Sequence, residues 1–292
     1  MNKINEKIKK PIFNKKLLKA AIEKNVCAAI EEDLKNIDKT SNILQKKIKG
    51  LAKIQVKEKA ILCGSPWVNY CFKKIDKNIK IIWHFHEGST IKKGDVICSI
   101  LGNYNAILKG ERIAINFLQT LSGTATTVNL MSLKIKRYKT KIFDTRKTIP
   151  GLRIAQKYAV KLGGAFNQRL GLYDQVLIKE NHIKSFKNIT TTLNAVKKKY
   201  SLKDIQIEVE NIKELNEAIN FGAKNILLDN FSLKDLTKAV KINKTRVVLE
   251  ASGNINIDNI ISYAKTKVDK ISIGALTKNI KAIDFSMNIE IN

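Results

Sequence analysis

From about residue 140 onward the chain keeps one rhythm. Short apolar runs rich in Ile, Val and Leu recur as KIF (141–143), QVLI (175–178), IQIEV (205–209), NILL (225–228), RVVLE (246–250) and KISI (270–273). Between them lie stretches of helical period, LRIAQKYAVKLGG, ITTTLNAVKKKY, IKELNEAINFG, SLKDLTKAVKIN and IDNIISYAKT, several ending in Gly or a basic residue as helix C-termini do. Strand then helix, repeated, predicts an α/β fold with a parallel sheet.

A parallel sheet is either open and doubly wound or closed into a barrel. An open sheet gathers its ligands at one switch point, whereas the strand ends of a barrel converge on a single mouth. Here nearly every run exits into chemistry: DTRK, KEN, EVEN, LDN, EASGN and SIGA. That favours a barrel with its site at the C-terminal face. Only six such strands are visible, so the barrel is short of the usual eight unless the N-terminal third supplies more. That third has another rhythm. KLLKAAIEKNVCAAIEEDL reads as an amphipathic helix, and VKEKAILCG, KIIWHFHEG, STIKKGDVICSILG and NYNAILKG read as short strands punctuated by Gly. A compact α/β layer over residues 1–112 is expected, followed by a barrel over 113–278. GERIAINFLQTLSG opens a helix with Ile113, Phe117 and Leu121 toward a core, which sets Arg112 in its first turn, where the helix dipole disfavours a base.

With 292 residues and 44% hydrophobic content the chain can bury a real core. No run approaches the roughly 18 apolar residues of a membrane span, and MNKINEKIKKPIF lacks the apolar stretch of a secretory signal, so a cytoplasmic protein without a membrane partner is expected. Cys27, Cys63, Cys71 and Cys98 show neither C-x-x-C pairing nor a histidine at metal-ligand spacing, and read as reduced thiols. The net charge of +28 is the footprint of a nucleic-acid binder. Yet the lysines are spread over nearly every segment among abundant Ile and Asn, the residues an A+T-rich genome favours, and no helix-turn-helix, zinc-finger or RNP signature is present. Composition explains the charge better than a specific nucleic-acid partner.

The strand ends hold the candidate residues. DTRKTIPGLR (144–153) is a turn by its Pro-Gly pair and, by its charges, also a candidate site. Arg112, Arg146, Lys147, Arg153, Arg169 and Lys179 form a basic set suited to a substrate with several negative charges, since Arg holds carboxylate or phosphate with paired hydrogen bonds; the same residues also suit an ordinary basic surface. Glu208 and Asp229 end consecutive strands and suit Mg²⁺ or a developing cation, or ion pairing with nearby lysines. SGN (252–254) and SIG (272–274) bring small residues to the last two strand ends, a common place for phosphate.

The stretches ERIAINFLQTLSGTAT, DTRKTIPGLR, QKYAVKLGGAFNQRLGLYDQVLIKENHI, IEVEN, LLDN, LEASGNI and ISIGALTKN resemble, in order and spacing, nicotinate-nucleotide pyrophosphorylase (carboxylating), also called quinolinate phosphoribosyltransferase. EEDLKNIDKT and HEGSTIKKGD extend the resemblance over almost the whole chain. It implies an N-terminal α/β sandwich, to which the tail 279–292 returns, and an incomplete parallel α/β barrel. It implies phosphoribosyl transfer from phosphoribosyl pyrophosphate to quinolinate with decarboxylation, giving nicotinate mononucleotide, pyrophosphate and CO₂ in NAD biosynthesis. Under this resemblance Arg146, Lys147, Arg169 and Lys179 bind the two carboxylates of quinolinate, with Gln168 beside them. Glu208 and Asp229 take the ribose and Mg²⁺ side of phosphoribosyl pyrophosphate, the metal held directly or through water. Ser252, Gly253, Asn254, Ser272 and Gly274 take its 5′-phosphate. Glu208, Asp229 and Lys147 carry the catalytic charge, and Arg112 reaches the site of a neighbouring subunit in a homodimer or larger homo-oligomer.

The chain departs from the family pattern at Gln168, where His is usual in Asn-His-Arg, and at Asn254, where Gly is customary. Gln206 stands where an additional Glu is frequent, and Glu180 where Asp is more usual. Two alternatives remain beside the leading reading: a paralogous transferase with another acceptor, and a decayed member serving as a basic RNA-binding module.

Overall fold

The computed structural model describes residues 14–35 and 48–291. The chain divides into two compact units, one built from 1–129, 148–164 and 279–292, the other from 130–147 and 165–278. Of the EEDLKNIDKT segment, residues 36–40 lie outside the described residues.

The first unit opens with helix α1 (Lys15–Leu34), capped by Asn14, whose side chain accepts from Leu17 N at 2.8 Å. Strand β1 (Lys49–Val56) alternates its burial along its length, as a strand with one face on a core must. β2 (Ala60–Ile61) leads into α2 (Ser65–Ile75), then β3 (Lys80–Trp83), β4 (Thr90–Ile91) and β5 (Val96–Asn103). The N-terminus of α2 has no capping side chain of its own; Glu87 instead accepts from Gly64 N at 2.7 Å and Ser65 N at 3.0 Å, an anion at the positive end of the helix.

NYNAILKG, expected as a strand, is helical: α3 runs unbroken over Tyr104–Lys134. Asn103 Oδ1 accepts from Ala106 N at 3.1 Å and turns the chain into the helix. Gly110 marks close packing rather than a turn, since a Cβ there would meet the buried ring of Phe72. The helix therefore crosses the expected 112/113 boundary, and Arg112 is exposed in its third turn rather than its first, so the dipole argument about it does not hold. Ile113, Phe117 and Leu121 are buried.

Helix α4 (Arg153–Leu162) also belongs to this unit, where Asn25 Nδ2 donates to Gly151 O at 3.0 Å. Ala155 and Ala159 pack in one core with Val26, Trp67 and Leu121. The last strand, Phe285–Ile291, pairs antiparallel with β1 along its length, and the sheet order places it at one edge with β1, β5 and β3 following. Ile54, Leu62, Phe72, Ile100, Leu118 and Phe285 share a second core.

In the second unit the six runs read from the sequence are strands: β6 (Lys141–Phe143), β7 (Val176–Ile178), β8 (Ile205–Val209), β9 (Asn225–Asp229), β10 (Val248–Ser252) and β11 (Lys270–Ser272). All pair in parallel, in the order β6, β11, β10, β9, β8, β7. Between them run α5 (Glu180–Ser185), α6 (Ile189–Lys197), α7 (Ile212–Phe221), α8 (Leu233–Asn243) and α9 (Ile260–Lys265), and α10 (Ala275–Lys278) follows β11. Asn188, Asn211 and Ser232 cap α6, α7 and α8 through side-chain oxygens. Every residue of β8 is buried, as a strand in the middle of a covered parallel sheet must be. Among the described residues no helix is long and apolar enough to cross a membrane, and all four cysteines are free.

Candidate active site

The strand ends of the second unit hold their polar side chains through a small set of buried bonds. Asp144, directly after β6, is fully buried; it accepts from Asn167 Nδ2 and from Gln168 N, each at 2.7 Å. The acid of DTRK therefore ties the exit of β6 to the Asn-Gln-Arg loop. Of the bases that follow it, Arg146 is half-buried and Lys147 exposed. Of the two characters read into this stretch, the turn is visible, fixed by its acid.

Arg169 donates to Gln175 O at 2.7 Å. Burial first, and the neighbouring Arg146 second, hold its guanidinium below its ordinary pKa, with Asp174 acting in the opposite sense. Two guanidinium groups that raise each other's cost are stabilised by an anion between them. Lys147 lies close to Gly274, where a Cβ would come within 2.9 Å of its Cδ, and its carbonyl accepts from Thr277 Oγ1 at 2.7 Å. The glycine of SIGA thus makes room for the lysine of DTRK. Arg153 falls in the first unit, where its Nε donates to Thr148 Oγ1 at 3.1 Å, and Arg112 lies in that unit too.

Glu208, one residue before the end of β8, and Asp229, the last residue of β9, lie on adjacent strands, with Glu208 in register with Leu227, and Asp229 with Ser252. Lys179 Nζ lies 3.3 Å from Glu208 Oε2; the lysine side chain is 44% exposed and the glutamate 8%. Burial pushes the Glu208 carboxyl above its ordinary range, Lys179 pulls it down, and Asp229 pushes it up again. Asn230 Nδ2 donates to Asp229 Oδ2 at 2.8 Å. A base assigned to the acceptor and an acid assigned to the donor sugar are therefore partners, an ion pair of the kind the sequence left open.

The turn after β10 is built on consecutive positive φ angles, 108° at Gly253 and 47° at Asn254. A Cβ at Gly253 would run into Asn230, so glycine is required there for space as well as conformation. Asn254 takes the left-handed conformation that its short amide tolerates. Tyr263 Oη donates to Gly253 O at 3.4 Å and Asn259 Nδ2 to Asn254 O at 3.0 Å, which pin the turn from α9. Ser252 is half-buried and Ser272 buried.

Three residues outside the predicted set organise this site. Asp144 is one. Glu250, in mid β10 and 1% exposed, is the second; it accepts from Gln168 Nε2 at 2.5 and 2.6 Å. Gln206, itself buried, is the third and donates to Glu250 Oε2 at 2.9 Å. Their signal in the sequence was a polar side chain inside an otherwise apolar parallel strand, or at its very end, which folds keep only with a partner.

Comparison with known proteins identifies the family. The quinolinate phosphoribosyl transferase N-terminal domain matches residues 38–122 and the C-terminal domain residues 124–288. The chain is 36% identical over 265 residues to a probable nicotinate-nucleotide pyrophosphorylase [carboxylating] of Bacillus subtilis (strain 168), covering 89% of this chain and 91% of that one. It is 37% identical over 260 residues to a protein of the same description from Methanocaldococcus jannaschii, covering 86% and 90%. Among solved structures, the nicotinate-nucleotide pyrophosphorylase of Francisella tularensis superposes with a TM-score of 0.90 at 43% identity, covering 97% of this chain and 98% of the other. That of Ehrlichia chaffeensis gives 0.89 at 35% identity, covering 92% and 98%. With both halves matched in order along one chain, the protein belongs to the quinolinate phosphoribosyltransferase family.

Proposed function

We propose that the strand ends of the second unit bind quinolinate and phosphoribosyl pyrophosphate, join phosphoribose to the pyridine nitrogen with release of pyrophosphate, and then release CO₂ to give nicotinate mononucleotide. The observation that carries the reading is the company of opposite charges at one edge of one parallel sheet: Arg146 beside Arg169, and Lys179 on Glu208 beside Asp229. Such a set suits a dianionic acceptor next to a donor that develops positive charge.

In this reading Arg146, Lys147 and Arg169 hold the acceptor's carboxylates, and the crowding of Arg169 by Arg146 is relieved when they do. Lys179 has three N–H donors, so it can keep Glu208 and take a substrate carboxylate together. As pyrophosphate leaves, oxocarbenium character develops on the sugar, and the carboxylates of Glu208 and Asp229 stabilise it. Loss of CO₂ requires no acid or base from the protein, because the quaternised ring nitrogen accepts the electron pair left on the ring carbon. The residues work by position and charge.

Glu208 and Asp229 fit Mg²⁺ as a pair of hard oxygen donors on adjacent strands, with Asp229 raising the pKa of Glu208 through charge repulsion that a cation would relieve. No group of three or more metal-ligating side chains occurs among the described residues, so the donor's phosphates and water would complete the shell. When bound, the ion would neutralise charge on the departing pyrophosphate. The reading includes a homo-oligomer in which exposed Arg112 serves a neighbouring copy's site, and a reducing, cytoplasmic setting, which the four free cysteines suit.

The test follows carboxyl-labelled quinolinate. Labelled CO₂ should appear in equal amount to pyrophosphate, only with phosphoribosyl pyrophosphate and Mg²⁺ present. Pyrophosphate release without CO₂ would assign the chain to a different acceptor.

A further inference from the structure

Lys179 is held by its main chain as well as by its charge. It follows β7 directly and is the N-cap of α5, with extended backbone at φ −120° and ψ 168°. Its carbonyl accepts from His182 N at 2.9 Å and from Ile183 N at 3.0 Å, and its own N–H donates to His182 Nδ1 at 3.0 Å. His182 therefore grips Lys179 on both sides, with its main chain on the carbonyl and its imidazole on the N–H. Those bonds fix the backbone from which the lysine side chain leaves, and at the far end of that side chain Nζ lies 3.3 Å from Glu208 Oε2.

The imidazole bond also fixes the chemistry of the ring. A backbone N–H only donates, so Nδ1 is the acceptor, and an imidazole that accepts at Nδ1 is uncharged and carries its proton on Nε2. The residue at the third position of a helix that reaches back to the N-cap N–H is ordinarily Glu or Gln. A glutamate there would bring one more carboxylate to a lysine whose partner, Glu208, already interacts with Asp229 and Glu180. Histidine supplies the acceptor without the charge.

We propose that His182 is a positioning residue for Lys179: it gives the lysine's main-chain N–H an uncharged acceptor, and so keeps the ammonium on Glu208 and available to an anionic substrate with no competing carboxylate beside it. The proposal rests on the assignment of Lys179 to a carboxylate of the acceptor. His182 is assigned no contact with substrate; its effect passes through Lys179.

The chain has three histidines, His84, His86 and His182, so labelling the imidazole nitrogens with ¹⁵N gives three ring systems, and His182→Gln shows which belongs to His182. In alkaline buffer without substrate that ring should be the Nε2–H tautomer, and an Nδ1–H tautomer would overturn the proposal. In initial-rate kinetics His182→Ala should raise the quinolinate KM by about three- to tenfold, the loss of one hydrogen bond. His182→Gln keeps a neutral acceptor and should stay within about twofold of the wild type, whereas His182→Glu, the usual residue for such a cap, should raise the KM at least as much as His182→Ala. In a Lys179→Met background His182→Ala should change the quinolinate KM by less than about twofold, since the two act in series. A wild-type KM for His182→Glu, or factors that multiply in the double variant, would show that His182 serves only its own helix. An unchanged quinolinate KM for Lys179→Met alone would refute the assignment of Lys179 and the proposal together, whereas the other adverse results refute the proposal alone.

Discussion

The Lys179–Glu208 pair makes a prediction with a definite pH signature. At 3.3 Å two unit charges attract by about 5 kcal/mol at an effective dielectric constant near 20, and by about 1.3 kcal/mol in bulk water. Lys179 is 44% exposed, so the lower part of that range applies, and Lys179→Met should cost about 1.5–2.5 kcal/mol at pH 8. Methionine keeps an apolar stem of similar length, so the loss isolates the charge. The sign with pH follows from Glu208. Burial, the largest influence, and Asp229 raise its folded pKa above the ordinary carboxylate value, while Lys179 lowers it. Across the window from that ordinary value up to the folded one, the native state binds a proton that the unfolded chain does not, so Glu208's contribution to stability declines as pH rises through it. Removing Lys179 removes the lowering influence, and the window widens upward. The deficit of the variant should therefore be largest at pH 8 and shrink toward pH 4, as Glu208 takes up a proton. Urea melts of both proteins across that range are the assay. An equal deficit at pH 4 and pH 8 would show that Lys179 acts through packing and not through Glu208.

Gly253→Ala should lower stability by at least about 1–2 kcal/mol, because φ is 108° and the new Cβ meets Asn230; it should raise the phosphoribosyl pyrophosphate KM and leave the quinolinate KM nearly unchanged, as initial-rate kinetics will show. Mixing inactive Arg112→Ala with inactive Glu208→Ala protein should restore some activity, since hybrid dimers hold one site with both residues intact; no recovery despite demonstrated subunit exchange would mean that Arg112 serves its own chain. Binding to DNA or RNA should be weak, without sequence preference, and should collapse between low and physiological salt in a titration, because the lysines behind the +28 charge are spread along the sequence. Tight, selective binding at physiological salt would restore the RNA-module alternative.

The parallel sheet was legible because its strands are β-branched runs at regular intervals, and all six runs became strands. The first unit was harder. Gly110 reads as a break in sequence, but its role is to admit the Phe72 ring against a continuous helix, a reason that exists only in three dimensions. Ser65–Ile75 carries local helix signals, Pro66 in its first turn and Lys73 and Lys74 in its last, but its cap is Glu87, a partner that no local pattern announces. The charged residues at the strand ends were visible one by one. Their pairing was not: that Asp144 holds Asn167 and Gln168, that Lys179 pairs with Glu208, and that Glu250 binds two glutamines are long-range facts. The charges could be listed from the sequence, but which of them neutralise one another was decided by the fold.

In the proposed function this set of charges is matched to a pyridine carrying two carboxylates. That match is tested most directly by following pyrophosphate release from phosphoribosyl pyrophosphate with quinolinate or with nicotinate as acceptor, under the same conditions. Nicotinate leaves part of the Arg146, Arg169 and Lys179 set without an anion, and a poorly solvated cation left unpaired is costly. Quinolinate should turn over and nicotinate should be a poor substrate, by at least about tenfold in kcat/KM. Equal turnover of the two would mean that the charges are not matched to a second carboxylate.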